Sequence, residues 1–144
     1  MNNHLRTYQQ MHISGLNQKE LIVILYSGAL RFIEEGRVLI LKKDVPGTHE
    51  KLSKARNIFI HLLSTLDMET GGEFAIKLSS LYAYFIEKIT MANATKNVEE
   101  LDEIVPFIKD IKEAWEKIDI NGEDIPDSKK MSRMEPVQVF SAEA

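Results

Sequence analysis

The sequence predicts an all-α protein, an antiparallel four-helix bundle with an N-terminal arm or short helix and a flexible C-terminal tail. Four apolar stripes recur at helical spacing between residues 17 and 118. The breaks between them are short, which makes consecutive helices antiparallel. The length of 144 residues, with 44% hydrophobic and 28% charged side chains, is that of one globular domain.

Residues 1–16 carry scattered apolar positions, Leu5, Tyr8, Met11 and Ile13, without a sustained repeat, and read as the arm. Asn17 followed by Glu20 is a capping box, so the first helix is expected over about 17–43. Its stripe is Leu21, Leu25, Gly28, Ala29, Phe32, Gly36, Leu39 and Ile40, and Lys42 and Lys43 suit its C-terminal dipole. Pro46-Gly47 is expected to follow that helix, with Thr48 capping a second one over about 48–69. Leu52, Ala55, Phe59, Leu62 and Leu66 give this helix a 3-4-3-4 rhythm before Gly71-Gly72 breaks the chain.

The third helix, about 72–95, places Phe74, Leu78, Leu81, Phe85, Ile89 and Ala92 on one face, flanked by Tyr82, Tyr84 and Ile86. The fourth, about 97–118, opens with a second capping box, Asn97 and Glu100, and carries Leu101, Ile104, Ile108, Ile111, Trp115 and Ile118. Its acids crowd the first turns and its lysines the later ones, as the helix dipole favours. Pro106 removes one intrahelical hydrogen bond and is expected to kink or loosen this helix without ending it. Residues 119–144 dissolve into Gly, Pro and charge and read as the tail. There Val137, Val139 and Phe140 leave open an internal plug as well as plain disorder.

Composition excludes several functions. A net charge of −4 with interleaved signs offers no clustered cations for nucleic acid or anionic lipid. No apolar run approaches the roughly 18 residues of a membrane span, and Met1 to Gln10 is too polar for a secretory signal, so the default expectation is a cytoplasmic protein. The absence of cysteine removes disulfides and thiolate chemistry. No histidine follows a glutamate at the Glu-x-x-His spacing of bundle di-metal sites, and no serine sits in a nucleophile elbow. The sequence therefore carries no enzyme signature, and a bundle of this size needs no metal or cofactor to fold.

One feature is surplus to a simple bundle. Leu21 to Tyr26 is an unbroken apolar run, and Leu30 and Ile33 extend it beyond one face. Such a helix is either sandwiched centrally in its own fold or covered in part by an amphipathic partner helix. Tyr8, Tyr26, Tyr82 and Tyr84 suit surfaces buried only part of the time, or core packing with a hydroxyl at the rim.

Several ordered fragments between Tyr8 and Trp115 together resemble the FliS family, the flagellin-specific export chaperones. They are Glu20-Leu21-Ile22 leading into Leu25-Tyr26-Ser27-Gly28-Ala29, then Lys54-Ala55-Arg56-Asn57-Ile58, Leu66-Asp67 and Gly71-Gly72-Glu73. Leu81-Tyr82-Ala83-Tyr84, Ala92-Asn93 and Glu113-Ala114-Trp115 complete the series. The resemblance implies an antiparallel bundle that binds the disordered C-terminal segment of flagellin in the cytoplasm, prevents premature polymerisation and aids delivery to the flagellar type III export apparatus. It implies no cofactor, a monomer or homodimer, and export-gate components as further partners. By similarity, Leu5 and Tyr8 are the partner-binding arm residues. Leu21, Ile22, Leu25 and Tyr26 contribute to a groove, joined by Leu81, Tyr82, Phe85 and Ile89. The alternative is a helical-bundle structural or oligomerisation protein with no flagellin client.

Overall fold

The computed structural model describes residues 17–118, which form four helices: α1 (Gln18–Leu41), α2 (Val45–Ser64), α3 (Gly72–Thr95) and α4 (Val98–Lys117). The Leu5 and Tyr8 expectations and the tail of residues 119–144 lie outside these residues. α1 packs against α2 and α4, and α3 also packs against α2 and α4, so α1 and α3 face each other across the bundle.

Polar contacts fix the antiparallel register. Lys51 of α2 pairs with Glu35 near the end of α1 at 3.2 Å, and Arg37 of α1 pairs with Asp102 near the start of α4 at 2.8 Å. His49 and Asn93 join the start of α2 to the end of α3 at 2.8 Å. Lys88 of α3 bonds Glu100 of α4 at 2.8 Å and also reaches Glu103. Those hydrogen bonds, first to Glu100 and then to Glu103, hold the Lys88 ammonium above the ordinary lysine value.

α1 opens as its residues dictate. The Asn17 side chain accepts from the Glu20 N–H at 2.8 Å, and Glu20 returns a carboxylate to the Asn17 N–H at 3.1 Å. Its end falls earlier than Pro46-Gly47 implied. Lys43 takes a left-handed φ of 63°, its N–H bonds Ile40 O at 2.9 Å, and the Asp44 N–H bonds Leu39 O at 2.9 Å. This is a Schellman stop with lysine where glycine is usual. Asp44 then caps α2 by accepting from the Gly47 N–H at 2.9 Å. Pro46 therefore lies inside the first turn, where the missing N–H costs nothing. Thr48, expected as the cap, is buried one turn inside and donates to Asp44 O at 2.7 Å.

α2 ends at Ser64, ahead of the expected 69, because the Asp67 carboxylate captures the N–H groups of Glu69 and Thr70 and bends the chain. Those bonds, chiefly to Thr70, lower the Asp67 pKa. Gly72 enters α3 at a φ of +59°, a conformation that suits glycine. The second capping box forms only by half: Asn97 accepts from the Glu99 N–H at 2.9 Å, while the Glu100 carboxylate is spent on Lys88. α4 runs unbroken through Pro106.

The core gathers one row from each helix, including Ile22, Ala29 and Ile33 of α1, Leu52 and Phe59 of α2, Leu78 and Phe85 of α3, and Leu101, Ile104 and Trp115 of α4. Burial of each such aliphatic or aromatic side chain contributes about 1.5–3 kcal/mol. Close approach of α1 to α2 is set at Gly36, where an added Cβ would lie 2.5 Å from Leu52 Cδ2.

Candidate functional site: a sparsely charged helical face

The surplus hydrophobicity of α1 is largely absorbed inside the fold. Leu21, Ile22, Tyr26 and Ile33 are all buried, because α1 is flanked by α2 on one side and α4 on the other and fills a wide apolar arc. Tyr26 and Tyr82 meet across the bundle, hydroxyl to hydroxyl at 2.7 Å, and both rings pack on Phe59 with centroids 6.1 and 5.9 Å away. Phe85 packs on Phe59 at 5.2 Å. Burial raises both tyrosine pKa values. For Tyr26, hydrogen bonding to Tyr82 and Trp115 pulls the other way. For Tyr82 the proximity of Tyr26 adds to the rise.

Of the residues expected at a groove, Leu21, Ile22, Tyr26, Tyr82, Phe85 and Ile89 thus lie in the interior of the described chain. Only Leu25, on the α1 flank toward α2, and Leu81, on α3, reach the surface half-buried.

Exposed large apolar residues occur on every helix, and α3, which contributes Ile76 and Met91, stands out by its low charge. This helix holds four charged residues in its 24, whereas α4 holds ten in 20. Its outward side carries Ile76, Ser80, Ala83 and Ala94 together with the exposed charges Glu73, Lys77 and Glu87, and Ile76 is 54% exposed. A helix so sparing of charge is ordinarily enclosed, yet this one shows one side to solvent.

The neighbouring helices extend that side. His49 and Ile60 share one flank of α2, so the pairing of His49 with Asn93 places Ile60, 43% exposed, beside the Ser79-to-Ala83 stretch of α3. Phe107 stands one turn beyond Glu103 on the flank that meets Lys88, which sets it alongside Tyr84 at 52% exposure. Half-buried Leu63 and Ile86 floor the first furrow, and Leu81, Tyr84 and Ile111 the second. Ile60, Ile76 and Phe107, with the small Ser80 and Ala83, thus lie on one side of the bundle, interrupted by Lys77 and Glu87. The sequence reading missed it because Ile60 and Phe107 lie off the regular stripes. The low charge of α3 was the signal that marks it.

Among the described residues no three of His, Cys, Asp and Glu gather to hold a metal, and no helix is long and apolar enough to cross a membrane.

The family model described as Flagellar protein FliS matches residues 1–122. The chain is similar to the flagellar secretion chaperone FliS of Campylobacter jejuni, 34% identical over 84% of this chain and 96% of that protein. It also resembles the FliS chaperones of Vibrio cholerae (31% identical, 82% and 90% covered) and of Salmonella typhimurium (33%, 79% and 88%). A match over most of its length, joined to a four-helix fold, places this chain in the FliS family of flagellar proteins.

Proposed function

We propose that this protein is a cytoplasmic flagellar export chaperone that holds the C-terminal segment of flagellin as a helix along the α3 face. The observation that carries the reading is that face: a sparsely charged surface bearing Ile76 and Ala83, with Ile60 and Phe107 on the neighbouring helices, on a protein with ample charge elsewhere. Membership of the FliS family supports the export role. A disordered client loses backbone entropy on docking, and burial of its apolar side against Ile76, Ala83, Ile60 and Phe107 offsets that cost. While held, the same segment is unavailable for polymerisation. Leu5 and Tyr8 enter the reading as arm residues that contact the client, on the strength of the family resemblance.

Titration calorimetry with a flagellin C-terminal peptide tests it. Binding at micromolar concentration or tighter is expected, with a negative heat-capacity change from apolar burial and a gain of helical circular dichroism beyond the sum of the parts. Absence of heat and of added helix at that concentration contradicts it.

A further inference from the structure

The α2/α3 seam that borders the α3 face also contains a polar notch, lined by Leu52, Ser53 and Arg56 of α2 and Ile89, Thr90 and Asn93 of α3. Arg56 Nε–H is buried in its wall and meets no acceptor. By contrast Arg37, Lys51 and Lys88 each hold a carboxylate. Thr90 and Asn93, the polar neighbours on α3, are already engaged. The Thr90 hydroxyl donates to Ile86 O at 2.8 Å, the Asn93 amide nitrogen meets His49, and Asn93 Oδ1 accepts from Lys96 Nζ at 2.8 Å. The wall of the notch therefore holds one guanidinium N–H without an acceptor.

A buried N–H of a charged group is ordinarily matched, because leaving it unmatched forfeits its hydration without return. The planar fork of an arginine fits a carboxylate, two parallel N–H groups to two oxygens. Arg56 lies one turn before Ile60 on the same flank of α2, so the notch continues the apolar surface with one cationic point.

We propose that the Arg56 notch receives a carboxylate of the docked client, an Asp or Glu side chain on the helix that lies along α3. This rests on the client reading above and adds a rule to it. The client residue that packs against Ile60 and Ala83 has an acidic residue three or four positions away on the same face. The notch thereby sets the register of a helix that apolar contacts alone would let slide, since charge pairing specifies position more sharply than burial does.

Calorimetry on the full chain with the flagellin C-terminal peptide as probe decides it. Arg56→Met keeps the packed stem and removes the guanidinium. We expect it to weaken peptide binding about tenfold or more. The free variant is expected to melt at the wild-type temperature or above, since no hydrogen bond of Nε is lost. Changing one acidic peptide residue to its amide is expected to weaken wild-type binding similarly and leave binding to Arg56→Met unaltered, the signature of a direct pair. Wild-type affinity in Arg56→Met, or no acidic peptide residue coupled to Arg56, overturns the notch and leaves the client reading standing. Failure of the wild-type chain to bind the peptide overturns both.

Discussion

Tyr26 and Tyr82 are 56 residues apart, yet each hydroxyl has the other as its partner at 2.7 Å inside an aromatic cluster. A lone tyrosine hydroxyl in that interior is costly to bury, and the pairing removes the cost. Tyr26→Phe leaves the Tyr82 hydroxyl unmatched and is expected to cost about 1–3 kcal/mol, whereas Tyr82→Phe leaves Tyr26 its bond to Trp115 and is expected to cost less. The double variant is expected to recover much of the loss, giving a coupling energy in a urea-denaturation cycle. The same pair sets an alkaline limit. Both phenols are held above the ordinary tyrosine value, so the folded protein keeps protons that the unfolded chain releases from about pH 10 upward. Their contribution is fully present below that pH and lost as pH climbs toward the raised folded values. Stability measured from pH 8 to 11 is expected to fall more steeply in the wild type than in the double phenylalanine variant. This pairing was not legible in the sequence, where a tyrosine on an apolar helix serves equally as core or as rim.

At the level of the helix, the stripes were legible and the punctuation was not. The α2 row of Leu52, Ala55, Phe59, Leu62 and Leu66 is buried as its rhythm implies, and the Asn17 capping box forms. The α1/α2 reversal was misplaced because its left-handed position is filled by Lys43, not glycine, while the visible Pro46-Gly47 sits in a first turn that tolerates both. Two glycines of α1 separate by what faces them. A Cβ at Gly36 collides with buried Leu52, so Gly36→Ala is expected to destabilise by about 1–3 kcal/mol. At Gly28 the nearest atom is Ile58 Cδ1 at 3.5 Å, an ordinary contact, and Gly28→Ala is expected to gain about 0.5–1 kcal/mol of helix propensity. Thermal melts of the two variants, moving in opposite directions, check this. Pro106 is exposed in mid-helix, so Pro106→Ala restores an N–H for the Asp102 carbonyl at no loss of packing. A gain of about 1–3 kcal/mol in urea denaturation is expected.

For the whole molecule, the decisive quantity is which helix is left uncovered. The sequence shows surplus apolar residues in α1 and cannot show that α2 and α4 flank it, because that depends on which helices become neighbours. Once α1 is sandwiched, Ile22 and Tyr26 turn inward, and the sparsely charged side is that of α3, opposite α1. Composition hinted at this, since α3 holds only four charged residues in its 24. Family membership was legible throughout, because its fragments are local runs such as Leu25-Tyr26-Ser27-Gly28-Ala29 whose order survives whichever face they occupy.

Mapping of backbone amide shifts by nuclear magnetic resonance, as a flagellin C-terminal peptide is added to the labelled full-length protein, tests that assignment most directly. The account predicts perturbations concentrated at Ile76, Ser80, Ala83 and Glu87, with Ile60 and Phe107 on either side. Perturbations confined to the outward residues of α1, around Ile24 and Arg31, with α3 silent, would contradict it.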